Sequence, residues 1–241
     1  MHMNKLVWTV DATYHDWREH SFFMEFMSEA MRLHLIGTVE WIEREIDSDR
    51  EPLSLDISED LPKKLVEKYF KGDEVDCLTL GGYTPSSWDL VYSAFGYNFD
   101  SGIMRAVNCI MFTFDKSAIN SEYRSQSLMK SFCKLHRQEN TEYAKIHPYS
   151  HWNDLDDRDY EISVTNLMHG IYWANYLAPG HIHLFDKEKL NAVDPWKILK
   201  KDDNELCFIT SPNLNLADSR ESEIEIVRLT KLFKAALIDT E

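Results

Sequence analysis

The stretch WDLVYSAFGYNFDSGIMRAVNCIMFTF, residues 88–114, is the part of the sequence that decides the fold. Two runs rich in β-branched and aromatic residues, Trp88–Tyr97 and Ile103–Phe114, flank the segment Asn98–Gly102. Asn, Asp, Ser and Gly are the residues that turns favour, because they tolerate or stabilise the backbone conformations of a chain reversal. The stretch therefore predicts two adjacent strands joined by a turn.

Further strands and helices are predicted on both sides of this pair. Leu6–Tyr14 is rich in β-forming residues and predicts a strand. Apolar residues then recur at steps of three and four from Phe22 to Ile46, which predicts a long helical segment that Gly37 interrupts. The other predicted helices cover Leu61–Phe70 and Ser125–His136, and the other predicted strands lie at Leu53–Ile57, Cys77–Leu80, within Ile162–Leu177, at His181–Phe185 and at Leu206–Thr210.

The chain ends in a predicted amphipathic helix. Asp218 lies three residues before Glu221, the spacing at which an N-cap residue and a glutamate begin a helix. Ile226, Leu229 and Phe233 then fall on one helical face. We expect this face to belong to the core.

Strands in adjacent groups, with helices between the groups, predict an α+β fold with a mainly antiparallel sheet and amphipathic helices packed on it. The order of the elements is compatible with two βαββ-like halves. No internal repeat and no linker rich in Gly, Ser or Pro divides the chain. We therefore expect residues 1–241 to form a single domain.

The charge and hydropathy of the chain restrict its partners. It has 26 Lys and Arg residues against 41 Asp and Glu residues, a net charge of −15. Such a surface repels nucleic acid and anionic membranes and attracts basic partners at long range. No window approaches the roughly 18 consecutive apolar residues of a membrane span, and the N-terminal residues lack the apolar core of a signal peptide. We expect a cytoplasmic protein that binds neither nucleic acid nor membrane.

The four cysteines, Cys77, Cys109, Cys133 and Cys207, are at least 24 residues apart and form no C-x-x-C pair. Each lies among apolar neighbours, as small buried thiols do. This pattern predicts free thiols and neither a disulfide framework nor a zinc site.

Two clusters resemble metal sites only in part. His181 and His183 would lie on one face of a strand, but no spacing fixes a third ligand. The acidic run Asp154–Glu161 departs from a calcium-binding EF-hand loop, because Asp159 occupies the place of its glycine. We expect no metal and no cofactor.

The same acidic run is the predicted partner-binding segment. Its carboxylates adjoin Tyr149, His151 and Trp152, and aromatic side chains beside charges are typical of binding hot spots. Two interpretations remain open, a solvated loop and a surface that recognises a basic protein. The predicted contact residues are Trp152, Asp154, Asp156, Asp157, Asp159 and Glu161.

No catalytic motif is present in the sequence. It lacks a G-x-S-x-G elbow, an H-E-x-x-H motif and a phosphate-binding loop. We therefore expect a protein that is not an enzyme. Two alternatives remain, a small-molecule hydrolase or transferase whose site is assembled from distant residues, and a scaffold or dimerisation domain that uses the aromatic run Tyr172–Tyr176.

Four sequence features, three of them in the last third of the chain, resemble a known family. They are Gly170, Trp173, Tyr176 and Leu177 in one segment, the strand Leu206–Ser211, the turn and helix Asn213–Leu237, and Ser87–Trp88 upstream. In this order they resemble the immunity protein 52 family of bacterial polymorphic-toxin systems, of the type VI secretion or Rhs type. The chain departs from the family at Ser219–Ser222, where a His often follows the acidic turn.

The resemblance implies a non-catalytic protein that binds and neutralises a cognate toxin, often a nuclease, inside the producing cell. The charge of the chain agrees with this expectation. A nuclease carries a basic groove for its phosphate substrate, so a strongly acidic inhibitor associates with it rapidly. The expected partner is therefore a basic, nuclease-like toxin.

Overall fold

Ten strands and six α-helices form the regular structure of the described residues in a computed structural model of the chain. The structure describes residues 4–14, 20–44, 51–69, 77–98, 104–138, 141–148, 171–195, 197–201, 205–211, 214 and 219–238. The strands are β1 (Lys5–Tyr14), β2 (Val39–Arg44), β3 (Glu51–Leu55), β4 (Cys77–Gly82), β5 (Trp88–Asn98), β6 (Met104–Asp115), β7 (Thr141–Pro148), β8 (Ala174–Leu177), β9 (Lys197–Lys201) and β10 (Leu206–Ile209). The helices are α1 (Ser21–Arg32), α2 (Leu61–Tyr69), α3 (Glu122–Gln138), α4 (Pro179–Ile182), α5 (Lys187–Ala192) and α6 (Arg220–Ala236), and a 3₁₀ turn covers Lys116–Ile119.

The ten strands form one sheet in the order β3-β2-β4-β5-β6-β1-β7-β8-β10-β9. Every neighbouring pair is antiparallel. This sheet confirms the predicted α+β fold. The elements β1, α1, β2 and β3 follow the βαββ order along the chain, but β4, β5 and β6 separate β1 from β2 in the sheet.

The predicted pair of strands at residues 88–114 is confirmed as β5 and β6. The two strands pair along their whole length, from Trp88 opposite Phe114 to Asn98 opposite Met104. Strand β1 pairs with the other edge of β6. The longest strands of the sheet therefore lie side by side near its centre.

Helices cover the two faces of the sheet at different places. On one face Trp8 of β1 packs against Phe26 of α1, with ring centroids 4.8 Å apart, and against Phe132 of α3 at 5.6 Å. On the other face Phe233 of α6 stacks on Phe208 of β10 at 5.4 Å. Successive residues of a strand point to opposite faces, so β10 contributes side chains to the apolar core on each face of the sheet.

The predicted long helix from Phe22 to Ile46 is wrong in its second half. Helix α1 ends at Arg32, His34 has a positive φ of 54°, and β2 begins at Val39. The pairing of β2 with β3 shifts register between Val39 and Trp41. Because of this irregularity Val39 and Ile42 are both buried, at the three-residue spacing that also fits a helix.

The predicted strand at His181–Phe185 is also wrong. Helix α4 includes His181, which is buried, whereas His183 lies in the following turn and is exposed. Pro179 suits the first turn of a helix, where its missing N–H would have no intrahelical partner. The two imidazoles therefore do not share a strand face.

The final helix is confirmed, with its start one residue later than predicted. Ser219 is the N-cap, and its Oγ accepts a hydrogen bond from the Ser222 N–H at 3.2 Å. Ile226, Leu229 and Phe233 are buried, as the periodicity predicts.

The prediction of four free thiols is wrong for one pair. Cys133 of α3 and Cys207 of β10 form a disulfide with their Cα atoms 6.5 Å apart. Cys77 of β4 and Cys109 of β6 take no part in this disulfide. Sequence spacing did not predict this bond, because the pair is 74 residues apart and meets only when α3 packs on the sheet.

A buried histidine of α3 makes the stability of the protein depend on pH. His136 is fully buried, its Nε2 accepts a hydrogen bond from Trp8 Nε1 at 3.1 Å, and burial lowers its pKa to about 3. The unfolded chain takes up this proton near pH 6.5 and the folded chain does not, so stability falls as the pH drops below about 6.5. Between pH 6.5 and 5 we expect His136 to remove about 2 kcal/mol from the free energy of unfolding.

Urea unfolding of the wild type and of His136→Gln at several pH values measures how much of the free energy of unfolding each protein loses as the pH falls. The variant should lack that part of the loss, whereas His183→Gln, a change at an exposed histidine, should keep it. Glu29 contributes in the same direction but at lower pH, because its hydrogen bond from Arg32 lowers the pKa of a carboxyl that titrates near 4.5. Parallel curves for wild type and His136→Gln would contradict the prediction.

Candidate protein-binding surface

The predicted contact residues Trp152, Asp154, Asp156, Asp157, Asp159 and Glu161 lie outside the described residues. The structure therefore leaves this prediction as it stands.

Side chains that commonly bind metals do not come together at one place in the described ranges. Within them no group of three or more His, Cys, Asp or Glu side chains is arranged to hold a metal ion. No helix in the same ranges combines the length and the apolar character that crossing a bilayer requires.

The aromatic run proposed as a dimerisation surface belongs to the core. Tyr172, Trp173 and Tyr176 are only 2%, 1% and 4% exposed. The Tyr172 hydroxyl accepts a hydrogen bond from Lys145 Nζ at 3.2 Å, and the Tyr176 hydroxyl donates one to Glu205 at 3.2 Å. These aromatic side chains therefore contribute to stability, and the scaffold that would use them as a contact surface is excluded.

A cavity opens where three connections of the fold meet. These are the turn after α1, the β4–β5 connection, and the 3₁₀ turn that leads into α3. The cavity has a volume of about 280 Å³ and is lined by His34, Pro85, Ser86, Ser117, Ala118, Asn120 and Arg124. Most of these side chains are polar, and none is a carboxylate.

Two tyrosines adjoin this cavity in sequence and are the most exposed large apolar side chains among the described residues. Tyr123, next to Arg124, is 79% exposed, and Tyr83, two residues before Pro85, is 65% exposed. Tyrosine and arginine are enriched in the hot spots of protein interfaces. Tyrosine supplies a large amphipathic contact area at a low cost in conformational entropy. We call these two tyrosines and the seven cavity residues the Tyr83–Tyr123 surface.

The connection that carries Tyr83 is held by its neighbours. One carboxylate oxygen of Glu40 accepts hydrogen bonds from the Tyr83 N–H at 3.1 Å and the Thr84 hydroxyl at 3.4 Å. The indole of Trp88 donates to the Thr84 carbonyl at 3.2 Å. Gly37 lies so close to that carbonyl that a Cβ would overlap it.

Arg124 is fixed in a similar way at the start of α3. Its backbone N–H donates to Ser121 Oγ at 3.3 Å, and its guanidinium Nη1 donates to the Ala118 carbonyl at 3.2 Å. Surfaces held before binding lose less conformational entropy when a partner docks. The segment that carries Tyr83 and the start of α3 are both held in place in this way before any partner binds.

Sequence reasoning did not find this surface. Tyr83 and Tyr123 are 40 positions apart, and neither lies in a run whose composition or periodicity differs from an ordinary turn or helix start. A Tyr-Thr-Pro turn is the only local signal, and it indicates a connection rather than a function.

The fold is similar to that of a solved structure, the Pseudomonas aeruginosa T6SS protein PA0821, with a TM-score of 0.59. The similarity covers 98% of this chain and 75% of that chain, at 15% sequence identity. At this identity the similarity concerns the fold. No family model matches this chain, and no curated protein matches its sequence.

Proposed function

We propose that this protein is a non-catalytic immunity protein that binds and neutralises a cognate bacterial toxin by direct contact. The observation that carries the proposal is the Tyr83–Tyr123 surface, which combines exposed tyrosines, an arginine and a concavity on a preformed backbone. The fold similarity to a T6SS protein supports a role in a type VI secretion system. Membership of the immunity protein 52 family is part of the proposal and rests on the sequence resemblance alone.

The proposed partner is a basic, nuclease-like toxin. The net charge of −15 supports this choice, since a polyanionic surface attracts a basic groove at long range and raises the association rate. The acidic segment Trp152–Glu161 is a second proposed contact and would act mainly through this field.

The cytoplasm is the proposed place of action, because a nuclease would threaten the producing cell there. The Cys133–Cys207 disulfide opposes this part of the proposal, since cytosolic thiols are normally kept reduced. The state of this pair in cells therefore decides whether the proposed location is correct.

Co-expression with the product of the neighbouring open reading frame tests the proposed function. Cells that carry the neighbour alone should lose viability, and cells that also carry this chain should survive. The purified pair should form a complex in gel filtration. Equal survival with and without this chain, in cells where the neighbour alone is lethal, would exclude the proposal.

Truncation of the exposed tyrosines should weaken the complex without unfolding the protein. We expect Tyr123→Ala and Tyr83→Ala each to raise Kd about 30-fold, which corresponds to about 2 kcal/mol for an interface anchor. Most of the change should appear in the dissociation rate, measured by surface plasmon resonance. Ile224→Ala is the control, because Ile224 is 61% exposed on α6, away from this surface. Tyrosine variants that dissociate no faster than the control would place the interface elsewhere.

Neutralisation of the acidic segment should have a different kinetic signature. Changing Asp154, Asp156, Asp157 and Asp159 together to Asn should slow association at low salt and have little effect at high salt. Exposed charges act through a screened field, so their contribution falls within a Debye length of about 10 Å at 0.1 M salt. An association rate equal to that of the wild type at low salt would leave this segment as a solvated loop.

A further inference from the structure

The cavity of the Tyr83–Tyr123 surface contains an arginine that forms no ion pair within the described residues. Arg32 and Arg228 each hold a glutamate through two guanidinium nitrogens, with nitrogen–oxygen distances of 2.6–2.9 Å. Arg124 instead donates to a neutral carbonyl, that of Ala118. A guanidinium has five N–H donors in a fork that matches an oxyanion. Arg124 therefore keeps donors available beside an open cavity.

The other groups around this cavity also suit an anion. His34, Asn120 and the hydroxyls of Ser86 and Ser117 can each donate a hydrogen bond, and the lining contains no carboxylate. The Ser86 Oγ atom is buried and has no hydrogen-bond partner among the described residues. Because that atom is not exposed to the cavity, the donors that a ligand there can reach are those of His34, Ser117, Asn120 and Arg124.

The nearest acids in sequence are engaged elsewhere. Asp115 accepts the Ser117 N–H at 2.8 Å, and Glu122 accepts a hydrogen bond from Gln126 at 3.1 Å. The chain has 41 acidic residues against 26 basic ones, yet no acid of the described residues lines this cavity. The composition does not explain this arrangement, whereas a ligand of opposite charge does.

We propose that the cavity binds a carboxylate, and that its source is an acidic side chain of the partner protein. A carboxylate would accept hydrogen bonds from the Arg124 guanidinium and from an accessible donor of the lining such as the Ser117 hydroxyl. The exposed tyrosines that neighbour the lining residues in sequence favour a protein source over a free small anion, because exposed aromatic side chains supply apolar contact area to a protein partner. The identity of the source rests on the proposed function, whereas the oxyanion site itself does not.

In the proposed complex the net charge of the protein attracts the partner, and the cavity recognises it. The net negative charge attracts any basic surface, including wrong partners. A carboxylate that must enter a cationic cavity fixes the register of docking, and a partner without it leaves Arg124 unpaired in the interface. Leaving a charge desolvated and unpaired disfavours the wrong partner.

Titration of the isolated protein with sodium acetate, against sodium chloride at equal ionic strength, tests the oxyanion site. In ¹⁵N-labelled protein we expect the Arg124 side-chain Nε–H resonance to shift in a saturable way with acetate. The shift should persist in Lys130→Gln, a matched charge change at an exposed position of the same helix, and should weaken in Ser117→Ala, which removes an accessible donor of the lining. The absence of a saturable shift would overturn the site.

Affinity for the toxin tests the source of the carboxylate. We expect Arg124→Gln to raise Kd by about tenfold to a hundredfold, Arg124→Lys to raise it less, and Lys130→Gln to change it less than threefold. Unchanged melting temperatures establish that the variants are folded. If acetate binds but Arg124→Gln inhibits the toxin as well as Lys130→Gln does, the protein source is wrong and the proposed function stands. If the wild type inhibits no toxin, the proposed function fails and the acetate titration alone decides the site.

Discussion

Phe233→Ala is expected to lower the free energy of unfolding by about 3–5 kcal/mol, as truncation of a buried aromatic side chain generally does. Phe233 is fully buried at the contact between α6 and the sheet. Its ring stacks on Phe208 with centroids 5.4 Å apart and meets the edge of Phe185 at 5.5 Å. Removing the ring loses these contacts and leaves a cavity that neither neighbour can fill without moving.

Urea unfolding of the purified protein measures the change. Ile224→Ala is the matched control on the same helix, because Ile224 is 61% exposed and its truncation should change the free energy by less than about 1 kcal/mol. Protection against the toxin should weaken only as far as the folded population falls. An equal effect of the two substitutions would mean that α6 does not pack on β10 through this face.

Short stretches of sequence predicted the elements that interactions between residues close in sequence determine. The β5–β6 pair is confirmed because a turn-forming segment separates two strand-forming runs, and helix α6 is confirmed because its apolar residues repeat with the helical period. The prediction failed at β2, where Val39 and Ile42 keep a helical spacing through an irregularity in strand pairing. A register shift depends on the neighbouring strand, and periodicity along one segment does not contain that information.

The candidate site was less predictable than the fold. His34, Ser86 and Arg124 come from three connections that are distant in sequence, and only the order of the strands brings them to one cavity. Composition instead directed the prediction to the acids at 154–161, which lie outside the described residues. Charge runs are visible in a sequence, whereas a single arginine without an acidic partner becomes visible only when its neighbours are known.

Removal of the disulfide is the second change that we expect to lower the stability of the protein strongly. Cys133 and Cys207 connect α3 to β10 across 74 positions of the chain. Closing a loop of this length removes conformational entropy from the unfolded state, which corresponds to about 4 kcal/mol in the chain-entropy model. Replacing both cysteines by alanine, or reducing the bond, should therefore lower the melting temperature by about 10 °C for a protein of this size.

Two measurements test the disulfide. After denaturation without reductant, maleimide should leave Cys133 and Cys207 unlabelled, and both should label once reductant is added. The double variant Cys77→Ala and Cys109→Ala is the matched control, and reductant should destabilise it as much as it does the wild type. If all four thiols label without reductant in protein taken rapidly from the cytoplasm, the bond is absent there. In that case α3 is held on the sheet by packing and by the Trp8–His136 hydrogen bond, and the objection to the proposed cytoplasmic location disappears. If Cys133 and Cys207 stay unlabelled in the same extract, the bond persists where the toxin is proposed to act.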